Sequence, residues 1–236
     1  MARLVVTIDG PDGAGKSTVS RRLAALLGYT YLDTGAIYRT LGLSVGAFEA
    51  LAARLDACAD PEALPPEDRE RLAGIARSLE ITFEDAGTRV FLHGDEVTSA
   101  IRTPAAGERA SRVSAVPEVR AALLELQRAL GASGGVVVEG RDTGSIIFPQ
   151  AEAKFFLTAS VACRAGRRTA ELRSRGLAAE EADVAREISA RDARDAGRSV
   201  APLVRPEGSM EVDSSNMGVD EVVAEMAARV RGLEAS

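Results

Sequence analysis

Residues Gly10-Pro11-Asp12-Gly13-Ala14-Gly15-Lys16-Ser17-Thr18 constrain the fold of this chain more than any other stretch. They fit G-x-x-x-x-G-K-[ST], a loop whose glycines let backbone N–H groups turn inward around phosphate. Leu4 to Ile8 read as a buried strand before it, and Val19 to Leu27 carry apolar residues at helical spacing after it. In that strand–loop–helix context the helix N-terminus adds its partial positive charge to the phosphate site. Lys16 is then placed for the β- and γ-phosphates of a nucleoside triphosphate, and the Ser17 hydroxyl for Mg²⁺. Lys16 and Lys154 are the only lysines among 29 basic residues. A chain that otherwise uses arginine has kept the compact ammonium in its phosphate loop, where Arg's planar fork is no equivalent.

The remainder reads as alternating strands and helices. Tyr29–Leu32 is β-prone, Ala36 to about Leu55 has a helical pattern, and Glu67–Leu79 follows a proline-punctuated loop. Two alternating strands, 80–84 and 88–92, and a short third at Glu96-Val97 form an antiparallel meander that interrupts this alternation. Ser114 is placed to cap a helix from Val116 to Gly131. Val136–Val138 and Phe155–Leu157 are continuous apolar strands suited to a parallel sheet. Helices over 161–176, 179–196 and 219–230 and a strand at 210–213 complete the chain. The expected fold class is α/β: a doubly wound parallel sheet with helices on both faces, a small antiparallel insertion and a helical lid.

With 236 residues, 46% of them apolar, the chain can bury a substantial core in one domain. A net charge of −6 argues against a nucleic-acid or anionic-membrane surface. No apolar run approaches a membrane span and no secretory leader opens the chain, so a cytoplasmic location is expected. Cys58 and Cys163 belong to no metal-spaced set and are expected as reduced thiols. His93 is the only histidine, which disfavours a histidine-rich metal site.

Two further constellations fall at strand ends, where doubly wound sheets place their ligands. They are Asp33-Thr34-Gly35-Ala36-Ile37-Tyr38-Arg39 and Gly140-Arg141-Asp142-Thr143-Gly144. A third, Arg191 to Arg198, spaces Arg191, Arg194 and Arg198 for one helix face, with Asp195 beside them, provided the helix runs that far.

In this order, and followed by Ala201-Pro202-Leu203, the motifs resemble those of the bacterial cytidylate kinases over nearly the whole chain. The β insertion at about 80–97 and Ile101-Arg102-Thr103 match that family's nucleotide-binding insert. The resemblance implies one nucleoside monophosphate kinase domain over 1–236. Its core would be about 1–55, 105–175 and 205–236, its acceptor-binding insert 56–104 and its lid 176–204. It implies Mg²⁺-dependent phosphoryl transfer from ATP to CMP or dCMP, by an enzyme that works on small nucleotides as a monomer. Gly10 to Thr18, with Arg191 and Arg194 from the lid, would bind ATP. Thr34, Ser111, Arg120 and Asp142 would surround cytosine. Arg39, Arg141 and Arg198 would hold the CMP phosphate, Lys16 would lie between the two nucleotides, and Asp195 would meet the sugar hydroxyls. Ser17 would bind Mg²⁺ directly, and Asp33 through water.

The physical chemistry of such a transfer agrees with this set. The acceptor oxygen is already anionic, so no general base is needed. In-line positioning and neutralisation of charge on two phosphate groups suffice. A carboxylate at Asp142 accepts from the cytosine amine and is repelled by a uracil carbonyl in the same place. Asp12 departs from the family, which more often has a small residue there, and Gly10–Lys16 also resembles thymidylate kinases. A thymidylate kinase or another small-molecule kinase on this scaffold therefore stays open as an alternative. A nucleotide switch is a second, although the single asparagine, Asn216, is followed by Met217 and forms no Asn-Lys-x-Asp guanine reader.

Overall fold

The computed structural model describes residues 3–174 and 176–235. Its chain falls into two compact units, one made of the residues up to Thr30 and those from Ser133 onward, the other of Tyr31–Ala132. Strand β1 (Val5–Asp9) and helix α1 (Lys16–Leu27) flank the phosphate loop, and β2 (Thr30–Asp33) leads into the second unit. That unit contains α2 (Thr34–Val45), α3 (Glu49–Ala57), α4 (Pro66–Arg77), β3 (Ile81–Glu84), β4 (Arg89–Leu92), β5 (Asp95–Glu96), α5 (Pro104–Val113) and α6 (Pro117–Gly131). The first unit resumes with β6 (Val136–Gly140), a wide turn over Thr143–Ile147, and β7 (Ala153–Thr158). It ends with α7 (Val161–Ser174), α8 (Glu181–Ala196), β8 (Met210–Asp213) and α9 (Val219–Glu234).

The sheet of the first unit runs β6–β1–β7–β8, all parallel. Thr30, the first residue of β2, donates its N–H to the Gly135 carbonyl at 2.8 Å beside β6. A parallel sheet covered on both faces needs apolar residues at successive positions. Val6, Ile8, Val137, Phe155 and Leu157 meet that need and are all buried. Helices α1 and α9 pack together, burying Leu23, Val222, Met226 and Val230. Helix α1 stops where the sequence suggests, at Gly28, which takes a left-handed conformation and returns its N–H to the Ala24 and Ala25 carbonyls. Val184 and Ile188 of α8 pack against Ala165 of α7 in a small separate cluster.

The second unit has its own core, built from Leu41, Val45, Leu51, Leu55, Leu72, Ile101, Val113 and Leu123 among others. Its antiparallel sheet β3–β4–β5 is the expected meander, with Ile81 opposite Leu92 and Phe91 opposite Glu96. Three local expectations change. The helix expected over 36–55 is two helices, broken at Gly46–Phe48, where tight turns return N–H groups to Leu43, Ser44 and Val45. Glycine is a poor helix former, and the break redirects α3 so that Leu51 and Leu55 reach the same core as Leu41 and Val45. Helix α5 has no counterpart in the sequence reading; Thr103 caps it by accepting from the Ala106 N–H, and Pro104 fills its first turn. Ser114 therefore does not cap α6 but closes α5, donating its N–H to the Ala110 carbonyl at 3.0 Å.

Candidate active site

The phosphate loop has the backbone its glycines permit. Gly15 is left-handed at the cap of α1, and at Gly10 (φ +152°) an added Cβ would lie 2.0 Å from the Leu157 carbonyl oxygen. Lys16 folds back over the loop and donates to the Pro11 carbonyl at 2.8 Å. Burial pushes the Lys16 ammonium down, and Arg141 beside it adds to the effect; against Glu139 and Asp12 the net position is about 7. Thr18 is exposed at the start of the helix, and the Ala14 carbonyl accepts from Ser214.

Around this loop the first unit gathers most of the residues expected of it. Arg141 follows β6 and donates to the Gly10 carbonyl at 3.0 Å, to Asp12 at 3.3 Å and to Asp195 at 2.8 Å. Arg191 reaches Asp12 at 2.9 Å. Arg198 pairs with the other oxygen of Asp195, a carboxylate that is only 1% exposed. Helix α8 ends at Ala196, so Arg198 lies just beyond it, not on a shared helical face with Arg191; Arg194 is exposed. Burial works against ionisation of Asp12, but Arg191, Arg141 and Lys16 outweigh it and hold the carboxyl well below the usual carboxylate range. Arg141 and Arg198 do the same for Asp195. Burial likewise opposes the charge on Arg141, and Asp12 and Asp195 raise its pKa despite it. Asp142 is buried, with its carbonyl accepting the N–H groups of Ile146 and Ile147 at 2.9 and 3.2 Å.

The second unit carries the remainder. Asp33 caps α2 by accepting from the Ala36 N–H at 3.0 Å and pairs with Arg39. Thr34 is buried as the first residue of that helix. Arg120 donates to the Ser114 carbonyl at 3.1 Å with its guanidinium 5.5 Å from the Tyr38 ring centre, a cation–π contact. Ser111, half-buried on α5, offers its carbonyl to Ser114.

Three groups at this site carry no motif in the sequence. Glu139, buried in β6 opposite Ile8, accepts from the Ser17 hydroxyl at 2.7 Å. Asp9, fully buried at the end of β1, accepts from the turn after Asp142. Arg164 of α7 donates to the Asp12 carbonyl at 2.9 Å and pairs with Asp192 at 2.7 Å, tying the loop to α8. The only signal for the two acids is a charge closing an apolar strand, at Asp9 after Val5–Ile8 and at Glu139 after Val136–Val138. Ser17 and Glu139 supply adjacent hard oxygen donors, the type that Mg²⁺ takes together with phosphate and water. The residues present therefore fit that ion.

A parallel sheet with this loop on its central strand, and further polar residues at the strand ends, defines the P-loop nucleotide-binding class. The cytidylate kinase family profile matches residues 6–232. The chain is 44% identical over 231 residues to the cytidylate kinase of Symbiobacterium thermophilum, covering 97% of this chain and 96% of the relative. It is 42% identical over 226 residues to that of Caldanaerobacter subterraneus subsp. tengcongensis, covering 96% and 94%. A solved structure of an uncharacterized protein from Eubacterium ventriosum shares the fold at 10% identity, with a TM-score of 0.50 over 98% of this chain and 99% of its own. The chain belongs to the cytidylate kinase family.

Among the described residues no helix is long and apolar enough to cross a membrane, and Cys58 and Cys163 are free thiols.

Proposed function

We propose that the protein transfers the γ-phosphoryl group of ATP to CMP or dCMP, giving ADP and the corresponding diphosphate. The observation that carries this reading is the match to cytidylate kinases over nearly the whole of both chains. The reaction uses small nucleotides in the cytoplasm, where Cys58 and Cys163 would remain thiols.

The loop from Gly10 to Thr18 would cradle the ATP phosphates, with Lys16 between donor and acceptor. Arg39, Arg141 and Arg198 would neutralise the CMP phosphate. Arg191 and Arg194, in a lid over about 176–204, would close on ATP, and residues 56–104 would form the acceptor insert. Thr34, Ser111, Arg120 and Asp142 would read cytosine, and Asp195 would meet the sugar. Mg²⁺, held by Ser17 with Glu139 behind it, would supply charge neutralisation across the donor phosphates; Asp33, the proposed water-mediated contact, already accepts from Ala36 and Arg39. No residue need remove a proton, since the CMP phosphate attacks as an anion. Catalysis comes from holding it in line and from cations already aimed where charge gathers. An arginine at such a position is worth about 10³–10⁵ in rate in related transfers.

The test is a coupled ADP assay with ATP, Mg²⁺ and a panel of monophosphates. ADP release is expected to depend on CMP or dCMP. Equal rates with UMP or dTMP, or release with no acceptor, would overturn the assignment.

A further inference from the structure

Asp9 is a buried acid to which the reaction described above gives no task. It ends β1 one residue before the phosphate loop and is 0% exposed, with Gly140 of β6 and Phe156 of β7 as its sheet neighbours. Its two oxygens are aimed at one short segment. Oδ1 accepts from the Thr143 N–H and the Thr143 hydroxyl, both at 2.8 Å, and Oδ2 accepts from the Gly144 N–H at 2.7 Å. The fit is close: a Cβ added to Gly144 would lie 2.7 Å from the Thr7 hydroxyl oxygen and 3.2 Å from Asp9 Oδ2. Nothing larger than glycine brings that N–H to the carboxylate.

The segment so held follows directly on Arg141 and Asp142. The backbone of Asp142 (φ −141°, ψ 22°) is neither helical nor extended; its carbonyl accepts from Ile146 and Ile147 in the turn that follows. Two anchors tie this turn to the end of β1 and the phosphate loop. Arg141 ties the near side to the Gly10 carbonyl, and Asp9 ties the far side through Thr143 and Gly144. Both anchors end on the phosphate loop or the residue before it. Burial raises the Asp9 carboxyl to about 6 against the pull of these three hydrogen bonds, so it is ionised at neutral pH and accepts at both oxygens. A buried carboxylate is a costly fastener for a turn. What it provides is two acceptors in fixed directions, next to the residue that reads the acceptor base.

We propose that Asp9 is a positioning residue that locks the Arg141–Gly144 turn to the phosphate loop and thereby sets the selectivity of Asp142 for cytosine over uracil. This rests on the cytidylate reading of the site. Asp9 touches neither nucleotide and acts through Asp142. Its removal therefore disturbs the acceptor and its discrimination more than the donor.

The experiment compares the full-length parent with Asp9→Asn and Thr143→Val, measuring KM for CMP and for ATP, kcat/KM for CMP against UMP, and Tm. In Asp9→Asn an amide NH₂ replaces one acceptor and leaves a buried N–H unmet. The expected result is KM for CMP raised about tenfold, the CMP/UMP ratio reduced about fivefold, and KM for ATP within about twofold. Thr143→Val removes one donor with little change of shape and should move the same quantities in the same direction by about two- to threefold. If kcat or Tm falls while the ratio and KM for CMP stay within about twofold in both variants, Asp9 is merely structural and the proposal is overturned. Should Asp9→Asn fail to fold, an unchanged ratio in Thr143→Val overturns it alone. Failure of the cytidylate reading shows separately, as a parent without CMP-dependent ADP release, and that outcome overturns the selectivity proposal along with it. The clamp alone is then judged by amide hydrogen exchange. Gly144 should exchange at least about tenfold faster in Asp9→Asn, and an unchanged rate removes the clamp as well.

Discussion

Asp12 puts a carboxylate inside a loop built for phosphate, and its removal has a calculable consequence. It accepts from Arg191 at 2.9 Å and from Arg141 at 3.3 Å. With its side chain 35% exposed, these contacts are screened, and about 1 kcal/mol for the nearer pair and half that for the longer are reasonable values. ATP, on the assignment above, must take Arg191 from Asp12, whereas Arg141 is left to the acceptor phosphate. Asp12→Ala should therefore tighten MgATP binding by about fivefold at low salt, since about 1.4 kcal/mol is one decade and the Arg191 pair is worth about 1 kcal/mol. The gain should shrink as salt is raised. The free variant leaves Lys16, Arg141 and Arg191 facing one another, and a loss of about 1 kcal/mol would lower Tm by about 2–4 °C. The loop itself should keep its course, because Arg164 holds the Asp12 main-chain carbonyl and not its side chain. Isothermal titration of MgATP into parent, Asp12→Ala and Asp12→Asn is the assay, with Asp12→Asn separating charge from shape. A Kd within about twofold of the parent, or weaker binding in both variants, would refute the reasoning.

Two further expectations follow from groups whose protonation the fold has shifted. Lys16, pushed down to about 7, is largely neutral at pH 8 and should take up close to one proton when ATP phosphates arrive; binding enthalpies that do not differ between Tris and HEPES at pH 8 would refute this. Asp9, raised to about 6 from 3.8, holds a proton between those values in the folded chain that the unfolded chain has already lost, so its contribution to stability falls as pH rises through that window, by roughly 3 kcal/mol in full. Denaturant unfolding should show Asp9→Asn gaining on the parent between pH 4 and 7, and a constant difference counts against the buried ionised carboxylate.

What the sequence revealed and what it hid divide along a physical line. The phosphate loop is legible because its chemistry needs several residue types at fixed spacing. Arg141 and Asp142 are legible because a short apolar run, Val136–Val138, marks the strand whose end they occupy. Asp9 and Glu139 are single acids whose partners, Thr143 and Ser17, lie more than a hundred residues away in sequence, and no local pattern announces such a pairing. Helix α5 was hidden because its buried stripe is Ala106, Ala110 and Val113, too small to stand out as an apolar periodicity. The division of 36–55 into α2 and α3 was hidden for the opposite reason, since apolar residues continue at helical spacing across Gly46.

The preference for arginine over lysine in this chain takes its meaning from the same site. Burial opposes the charge on both Lys16 and Arg141, but its effect depends on the group. Arg141, held by Asp12 and Asp195, stays charged under burial that draws Lys16 down to about 7. The arginines are already paired, Arg141 with two carboxylates, Arg191 with Asp12 and Arg198 with Asp195, and Arg141 and Arg198 are in addition largely withdrawn from water. When a phosphate replaces a carboxylate, an arginine exchanges one anion for another and leaves no water behind; its desolvation was borne during folding, which is what preorganisation means in energetic terms. Lys16, drawn down to about 7, is expected to change its charge on the way. Among the cations of the site it is the single group through which pH reaches the nucleotide directly, and an arginine placed there would keep its charge and lose that coupling.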